Sequence, residues 1–453
     1  MLFQSLSFIW LFLPVSLLIY YLAPPKARNG LLFFLSLVFY GLGEFWYLPA
    51  ALLSITCDYF LGKRIQQFWR QSGAKQAMIL GILKGAVWLL LVKQFSGFPG
   101  VYYDRLPLLN LLVPLGSVVY TLKGISYLSD VYTGRVKGEN NFFSLGLYLL
   151  FFPSLPIGPC LLYRDFSPML DFTQRKMNAA IFFENGWTFV MGLAKVVLIS
   201  GNFQDLWQIF LGQLSELTAL SAWMAMLCIA LGLYFLWSGM LDMSQGISGM
   251  FGFVYRKTED YPFMAKSLLE FAGRMDTALA RWVREYAHST VLTADHAALC
   301  WIINIILFFL AKGLFRGDWK TLTVWLMGFM LFLLLDSLLC RKVLMKLGKT
   351  ICHVYTVIGV LFCSVVFALP NVEQLFVFFQ ALVRFNGMVV ADETLVMLAK
   401  PLILMLIIGA LSAVYGFFQK TFRQICSFRL LGIPIFLVFF QVLLLIFCTA
   451  YLI

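Results

Sequence analysis

Polar side chains concentrate in one apolar region of the sequence, between residues 234 and 286. Ser238, Asp242 and Gln245 recur at i, i+4 and i+7 after a hydrophobic run, a spacing that places them on one helical face with Ser244 close by. An acid at membrane depth is a functional-site candidate by default. A structural alternative stands beside it, in which Asp242 caps a buried helix or pairs with a nearby arginine. Further on, Arg274, Arg281 and His288 recur every seven residues, and Glu285 stands four after Arg281. One helical face with two guanidinium groups, a carboxylate and an imidazole suits an anionic acyl donor or a headgroup. The same residues also read as a solvated amphipathic face on the cytoplasmic leaflet.

The elements that must position these groups are membrane helices. The chain has 453 residues, 61% of them hydrophobic and 12% charged, with a mean hydropathy of +0.86. That excludes a soluble globular enzyme, a disordered chain and a disulfide scaffold. The formal charge of +12 is spread over short Lys/Arg-rich loops between apolar runs, the positive-inside pattern, so no nucleic-acid partner is expected.

The expected fold class is all-α: a polytopic integral membrane protein, a single membrane-embedded domain over 1–453. Leu2–Leu22 reads as a first crossing rather than a cleaved signal. Leu31–Phe60 reads as two apolar stretches broken at Gly43-Glu44. Further spans fall near 77–95, 142–162, 184–200, 219–240, 297–312, 321–340, 351–369, 394–418 and 430–453. The total is about eleven crossings, with re-entrant and amphipathic helices around a central funnel. The basic loops put both termini outside the cell membrane, and Asn371–Arg384 reads as an external amphipathic helix. Three stretches fit no simple span: polar 113–134, proline-broken 151–163, and charged 261–286, which reads as one helix at the membrane surface. No internal repeat is visible, which argues against a transporter.

Other chemistry is sparse. The nine cysteines read as free thiols, and the three histidines, His288, His296 and His353, are scattered without metal-ligand spacing, so no metal is expected. No G-x-S-x-G elbow or P-loop occurs.

Several blocks occur in an order that resembles one family. Pro114-Leu115-Gly116, Tyr120, Ser126-Tyr127, Asp130, Tyr132 and Gly134 are followed by Phe152-Pro153-Ser154-Leu155 with Gly158-Pro159, then by Gly192-Leu193-Ala194-Lys195. Tyr234-Phe235, Ser238-Gly239 and Asp242-Met243 come next, then Arg274, Leu279, Arg281-Trp282, Arg284, Glu285 and Tyr286. With Arg28-Asn29, Val38-Phe39-Tyr40-Gly41 and a late block from Val366-Phe367 to Leu382, they resemble the membrane-bound O-acyltransferases of the alginate O-acetyltransferase type over roughly residues 5–385. The resemblance implies a transmembrane funnel that takes an acyl group from acyl-CoA or an acyl carrier and passes it to a hydroxyl acceptor, with an acyl-donor protein and envelope-glycan modification proteins as partners. Ser238, Asp242, Arg274, Arg281, Trp282, Glu285, Tyr120 and Asp130 would line that funnel.

The family's two histidines are replaced. The G-x-W-H-G block corresponds to Gly313-Leu314-Phe315-Arg316-Gly317, and the second histidine position holds Asp276. The aspartate of F-D-F-S-G is Leu236. A guanidinium with a pKa above about 12 cannot take a proton from a hydroxyl, so Arg316 would act as an oxyanion or phosphate clamp. Asp276 would be a substitute base only if burial raised its pKa. Two readings stay open: an acyltransferase with altered chemistry, and a silent scaffold or acyl-binding subunit.

Overall fold

The computed structural model describes residues 3–94, 115–155, 161–175, 177–254, 260–290, 348–369, 371–383, 429–430 and 433–452. Arg316, His296, the 313–317 block and the expected spans near 297–312, 321–340 and 394–418 lie outside these residues.

The described chain is helical apart from a two-residue antiparallel pairing of Arg429–Leu430 with Ile433–Pro434. A π-helical turn, Phe8–Phe12, leads into α1 (Leu13–Leu22), and a short turn at Pro25–Ala27 opens α2 (Arg28–Glu44). The expected interruption at Gly43-Glu44 is present, because α2 ends at Glu44 and a 3₁₀ turn over Phe45–Tyr47 precedes α3 (Leu48–Gln67). Pro49 in the first turn of α3 fits there, since that position has no intrahelical partner for an N–H. Then come α4 (Ser72–Gln94) and α5 (Leu115–Tyr132).

Helix α5 covers the stretch judged too polar for lipid. Its polar residues Ser117, Thr121, Lys123, Ser126, Ser129 and Asp130 are all buried inside the protein. After it, α6 (Phe142–Leu150) stops at Phe151 and a 3₁₀ turn carries Pro153, so 142–162 is a broken segment rather than one span. Pro153 has no N–H for a continuing ladder and disfavours helix in the residue before it. Lys123 Nζ takes up the freed Tyr148 carbonyl at 3.1 Å and also donates to Ser154 Oγ at 2.6 Å, while the Phe152 N–H donates to Ser36 Oγ. Non-helical backbone at membrane depth needs such internal partners. Phe8, Phe12, Phe39, Phe152 and Phe251 pack beside it in one aromatic core, mostly edge to face or tilted, with Phe8 stacked on Phe12.

The short α7 (Tyr163–Leu170) precedes α8 (Ala179–Ala194), which runs through a π-helical stretch at Lys195–Ser200 into α9 (Gly201–Gly212). Next is α10 (Ala219–Met250), 32 residues long. The charged stretch 261–286 is not one helix. It folds as α11 (Leu268–Met275) and α12 (Thr277–Thr290), separated at Asp276, whose φ of −140° and ψ of 87° leave the helical region. Last come α13 (Lys349–Ala368), α14 (Val372–Val383) and α15 (Ile435–Leu452).

Among the described residues three helices are long and apolar enough to cross a membrane: Ala179–Gly212, Ala219–Met250 and Lys349–Ala368. Two of them meet very closely. A Cβ on Gly192 would lie 2.5 Å from the Gly239 carbonyl oxygen, and one on Gly239 would lie 2.6 Å from that of Gly192. Only glycine at both positions lets α8 and α10 pack backbone to backbone.

Candidate functional site

Two polar clusters gather the residues singled out from the sequence. The first lies where α8 meets α10. Asp242 and Ser238 share a face of α10, as their spacing predicts, and both engage Lys195 from the π-helical stretch after α8. Lys195 Nζ donates to Asp242 Oδ2 at 2.6 Å and to Ser238 Oγ at 2.9 Å. The two charged side chains are each about one-fifth exposed, 19% and 17%, so the pair is sheltered but not sealed. The cation beside Asp242 is a lysine, where the structural alternative had an arginine. That lysine closes the G-L-A-K block, so two separate sequence blocks meet in one ion pair.

The second cluster joins α5, α7 and α12. The Tyr286 hydroxyl donates to Asp130 Oδ2 at 2.7 Å, with both residues buried. Glu285, one residue earlier, pairs with Arg164 of α7, and Arg281 one turn back pairs with Asp165. Arg281 Nε also lies 3.9 Å from Glu285 Oε1. Arg135 bridges to the helix α5 side, its Nη1 standing 3.7 Å from both Asp130 Oδ1 and Glu285 Oε2. Burial pulls the Arg164 guanidinium down, but the Glu285 hydrogen bond and charge outweigh this and raise it overall. The indole of Trp282 is buried against the Tyr286 ring, with centroids 5.6 Å apart.

Arg135 reaches this cluster because of Gly134. The chain leaves α5 with Gly134 at φ +75°, while the Arg135 N–H bonds back to the Asp130 carbonyl and the Gly134 N–H to that of Val131. This left-handed helix ending is a glycine position, and a Cβ there would also stand 2.9 Å from the Trp69 ring. The final glycine of the Y-x-G block therefore turns the next arginine back onto the aspartate of the same block.

The charges in this second cluster neutralise each other. Arg135, Arg164 and Arg281 face Asp130, Asp165 and Glu285, so the arginines hold protein carboxylates. The sequence missed Arg135, Arg164 and Asp165. Their signal was three charges flanking a proline-broken apolar run, which marks an internal polar contact as well as a loop.

The remaining site residues are placed apart. Arg274 pairs with Glu270 at 2.8 Å and lies 3.9 Å from Asp260, near the surface. It does not share a face with Arg281, because the break at Asp276 separates their helices and ends the seven-residue recurrence. Burial lifts the Glu270 carboxyl, but the Lys266 N–H and the Arg274 guanidinium hold it below its ordinary range overall. Asp276 is buried and its carbonyl accepts the Ala280 N–H that starts α12, the position where an aspartate caps a helix. Tyr120 is buried against Tyr40, with ring centroids 6.1 Å apart. His353 sits half-buried with its Nδ1 3.1 Å from the Ala265 carbonyl oxygen. The described cysteines, Cys57, Cys228, Cys352, Cys363 and Cys448, are unbridged.

The blocks that build both clusters are the ones that resemble one protein family, and the chain is similar to proteins of that kind. It is 27% identical over 449 residues to "Probable alginate O-acetylase AlgI" of Azotobacter vinelandii, covering 96% of this chain and 87% of the relative. Over most of its length the chain is similar to membrane-bound O-acyltransferases of the alginate O-acetylase type. A protein of the same name from Pseudomonas aeruginosa is 29% identical over 407 residues, 85% of this chain and 75% of its own length. The "Peptidoglycan O-acetyltransferase" of Helicobacter pylori is 27% identical over 359 residues, 72% of this chain and 68% of its own. No family model matches the chain.

Proposed function

We propose that this membrane-bound O-acyltransferase relative serves the transfer of acyl groups, acetyl in the first instance, to hydroxyls of an extracytoplasmic polysaccharide. The observation that carries this reading is the similarity to the Azotobacter alginate O-acetylase along 96% of the chain. In this reading about eleven crossings surround a funnel in the plasma membrane, with both termini outside and the basic loops in the cytoplasm. An acyl-CoA or acyl-carrier thioester loads the funnel from the cytoplasm, and envelope-glycan modification proteins work beside it.

The chemistry is an exchange of a thioester for an ester. The acceptor hydroxyl oxygen bonds to the acyl carbon, the C–S bond breaks, and the hydroxyl proton passes through a base to the leaving thiolate. The family's base position is Arg316, which stays protonated and instead suits the oxyanion of the tetrahedral intermediate. Catalysis is accordingly altered or lost. The second reading is a silent scaffold or acyl-binding subunit, favoured by the simultaneous absence of both family histidines.

The test is the O-acyl content of envelope glycans, read by mass spectrometry in cells expressing the intact chain, Arg316→Ala or Asp276→Ala at matched protein level. A loss of acyl groups in either variant supports a working site with altered chemistry. Unchanged acylation in both variants rejects that site and leaves the silent reading.

A further inference from the structure

The arginines of the second cluster and of α11 each have a carboxylate within reach, whereas Arg28 and Arg175 do not. Arg28 opens α2 and Arg175 follows the turn after α7. Among the described residues no carboxylate lies in ion-pair contact with either one. Arg175 is 7% exposed. It donates from Nε to the Met169 carbonyl at 2.7 Å, from Nη1 to Tyr20 Oη at 2.7 Å, and from Nη2 to Asn29 Oδ1, with its guanidinium 4.2 Å from the Phe253 ring centroid. Arg28 is half-buried and stacks 4.5 Å from the Phe172 ring centroid and 5.2 Å from that of Tyr20. Its donors go to the Ala23 and Tyr21 carbonyls and to Met177 Sδ.

Two cations thus share Tyr20 as a common wall and are held by neutral acceptors. Each guanidinium carries five N–H groups, and three on each are used by these bonds. The closest acid in sequence, Asp171, is turned to its own loop, accepting from the Thr173 N–H at 3.0 Å. Burial and the Arg28 charge both pull the Arg175 guanidinium down, against the support of the Tyr20 hydroxyl and the more distant Asp171 charge. Gathering a buried and a half-buried guanidinium with no carboxylate in direct contact among the described residues is costly unless an anion completes the set. The group also stands between the C-terminal end of α1 and the N-terminal end of α2, with exposed Lys26 beside it, and in the proposed membrane arrangement the basic loop there faces the lipid headgroups. Planar guanidinium forks are the side chains that match phosphate oxygens.

We infer that Arg28 and Arg175, set around Tyr20, form a binding site for a phosphate group. A phospholipid headgroup and a soluble phosphate ester carry the same recognised chemistry.

The experiment uses the full chain in nonionic detergent, following its thermal unfolding midpoint against two probes. One is phosphatidylglycerol in mixed micelles, with phosphatidylcholine as reference, and the other is inorganic pyrophosphate in solution. Saturable stabilisation by at least one probe is expected, with apparent affinity weakened about tenfold or more in Arg28→Gln, the scale of a lost charge-assisted contact, and little changed in Lys26→Gln. Response to the lipid alone assigns the headgroup, and response to pyrophosphate alone assigns a soluble phosphate. No shift by either probe, equal shifts in wild type and Arg28→Gln, or equal weakening by Lys26→Gln would overturn the site. Should Arg28→Gln fail to fold, hydrogen exchange of the wild-type chain decides. Probe-dependent protection is expected in residues 20–29 and 169–178, and protection only elsewhere refutes it.

Discussion

The Tyr286 hydroxyl meets the Asp130 carboxylate at 2.7 Å, joining residues 156 apart in the sequence. Both are buried, and together they fasten the amphipathic α12 to the polar α5. The Arg164–Glu285 and Arg281–Asp165 pairs fasten the same helix to α7. A helix with a charged face is thereby held inside the protein by protein groups.

Tyr286→Phe removes the donor and leaves Asp130 Oδ2 buried without it. An unsatisfied buried acceptor costs on the order of 1–3 kcal/mol. The unfolding midpoint of the purified protein should fall, and Asp130→Asn added to Tyr286→Phe should cost less than the sum of the two single changes, because they act on one bond. Strict additivity would mean that the bond contributes nothing.

Lys195 and Asp242 support a second test. Lys195→Met leaves a sheltered carboxylate without its cation, and breaking a buried pair in this way costs about 3 kcal/mol or more, reduced here by the partial exposure. The double change Lys195→Met with Asp242→Leu should recover part of that loss. Yield of folded protein and its thermal midpoint report the order, with the single variant lowest. A double variant worse than the single one would show that the polar groups are required beyond their mutual pairing.

Much of this architecture was readable beforehand. The break at Gly43-Glu44 followed from the composition, the polarity of 113–134 pointed away from lipid without showing that the stretch is a helix, and Pro153 marked the interrupted segment. The face shared by Ser238 and Asp242 followed from helical periodicity. Long-range partners were not readable: nothing local shows that Lys195 lies against Asp242, that Arg164 meets Glu285, or that Arg281 meets Asp165. The Arg274–Arg281 face failed for a local reason. Asp276-Thr277 is a helix start, so the seven-residue recurrence spans two helices. For Arg316 the sequence remains the guide, since that position is outside the described residues.

The close passage of α8 and α10 predicts a contrast between glycines. Gly239→Ala places a methyl 2.6 Å from the Gly192 carbonyl oxygen, against backbone that cannot rotate away. Forcing the helices apart should cost roughly 1–3 kcal/mol. Gly212→Ala, at a helix end with nothing within 4 Å of the new methyl, should be neutral or stabilise by up to about 1 kcal/mol. Thermal unfolding of the two variants beside wild type checks this, and equal effects would contradict the close approach.

The central claim is that this chain serves acyl modification of the cell envelope, and it holds for an altered enzyme and for a silent subunit alike. The most direct measurement is ester-linked acyl content of the envelope polysaccharides, released by mild base and quantified by mass spectrometry, in otherwise identical cells with and without the chain. The account predicts that acyl esters on at least one polysaccharide fall when the chain is absent and return when it is restored. Equal acyl content in all three strains would contradict it.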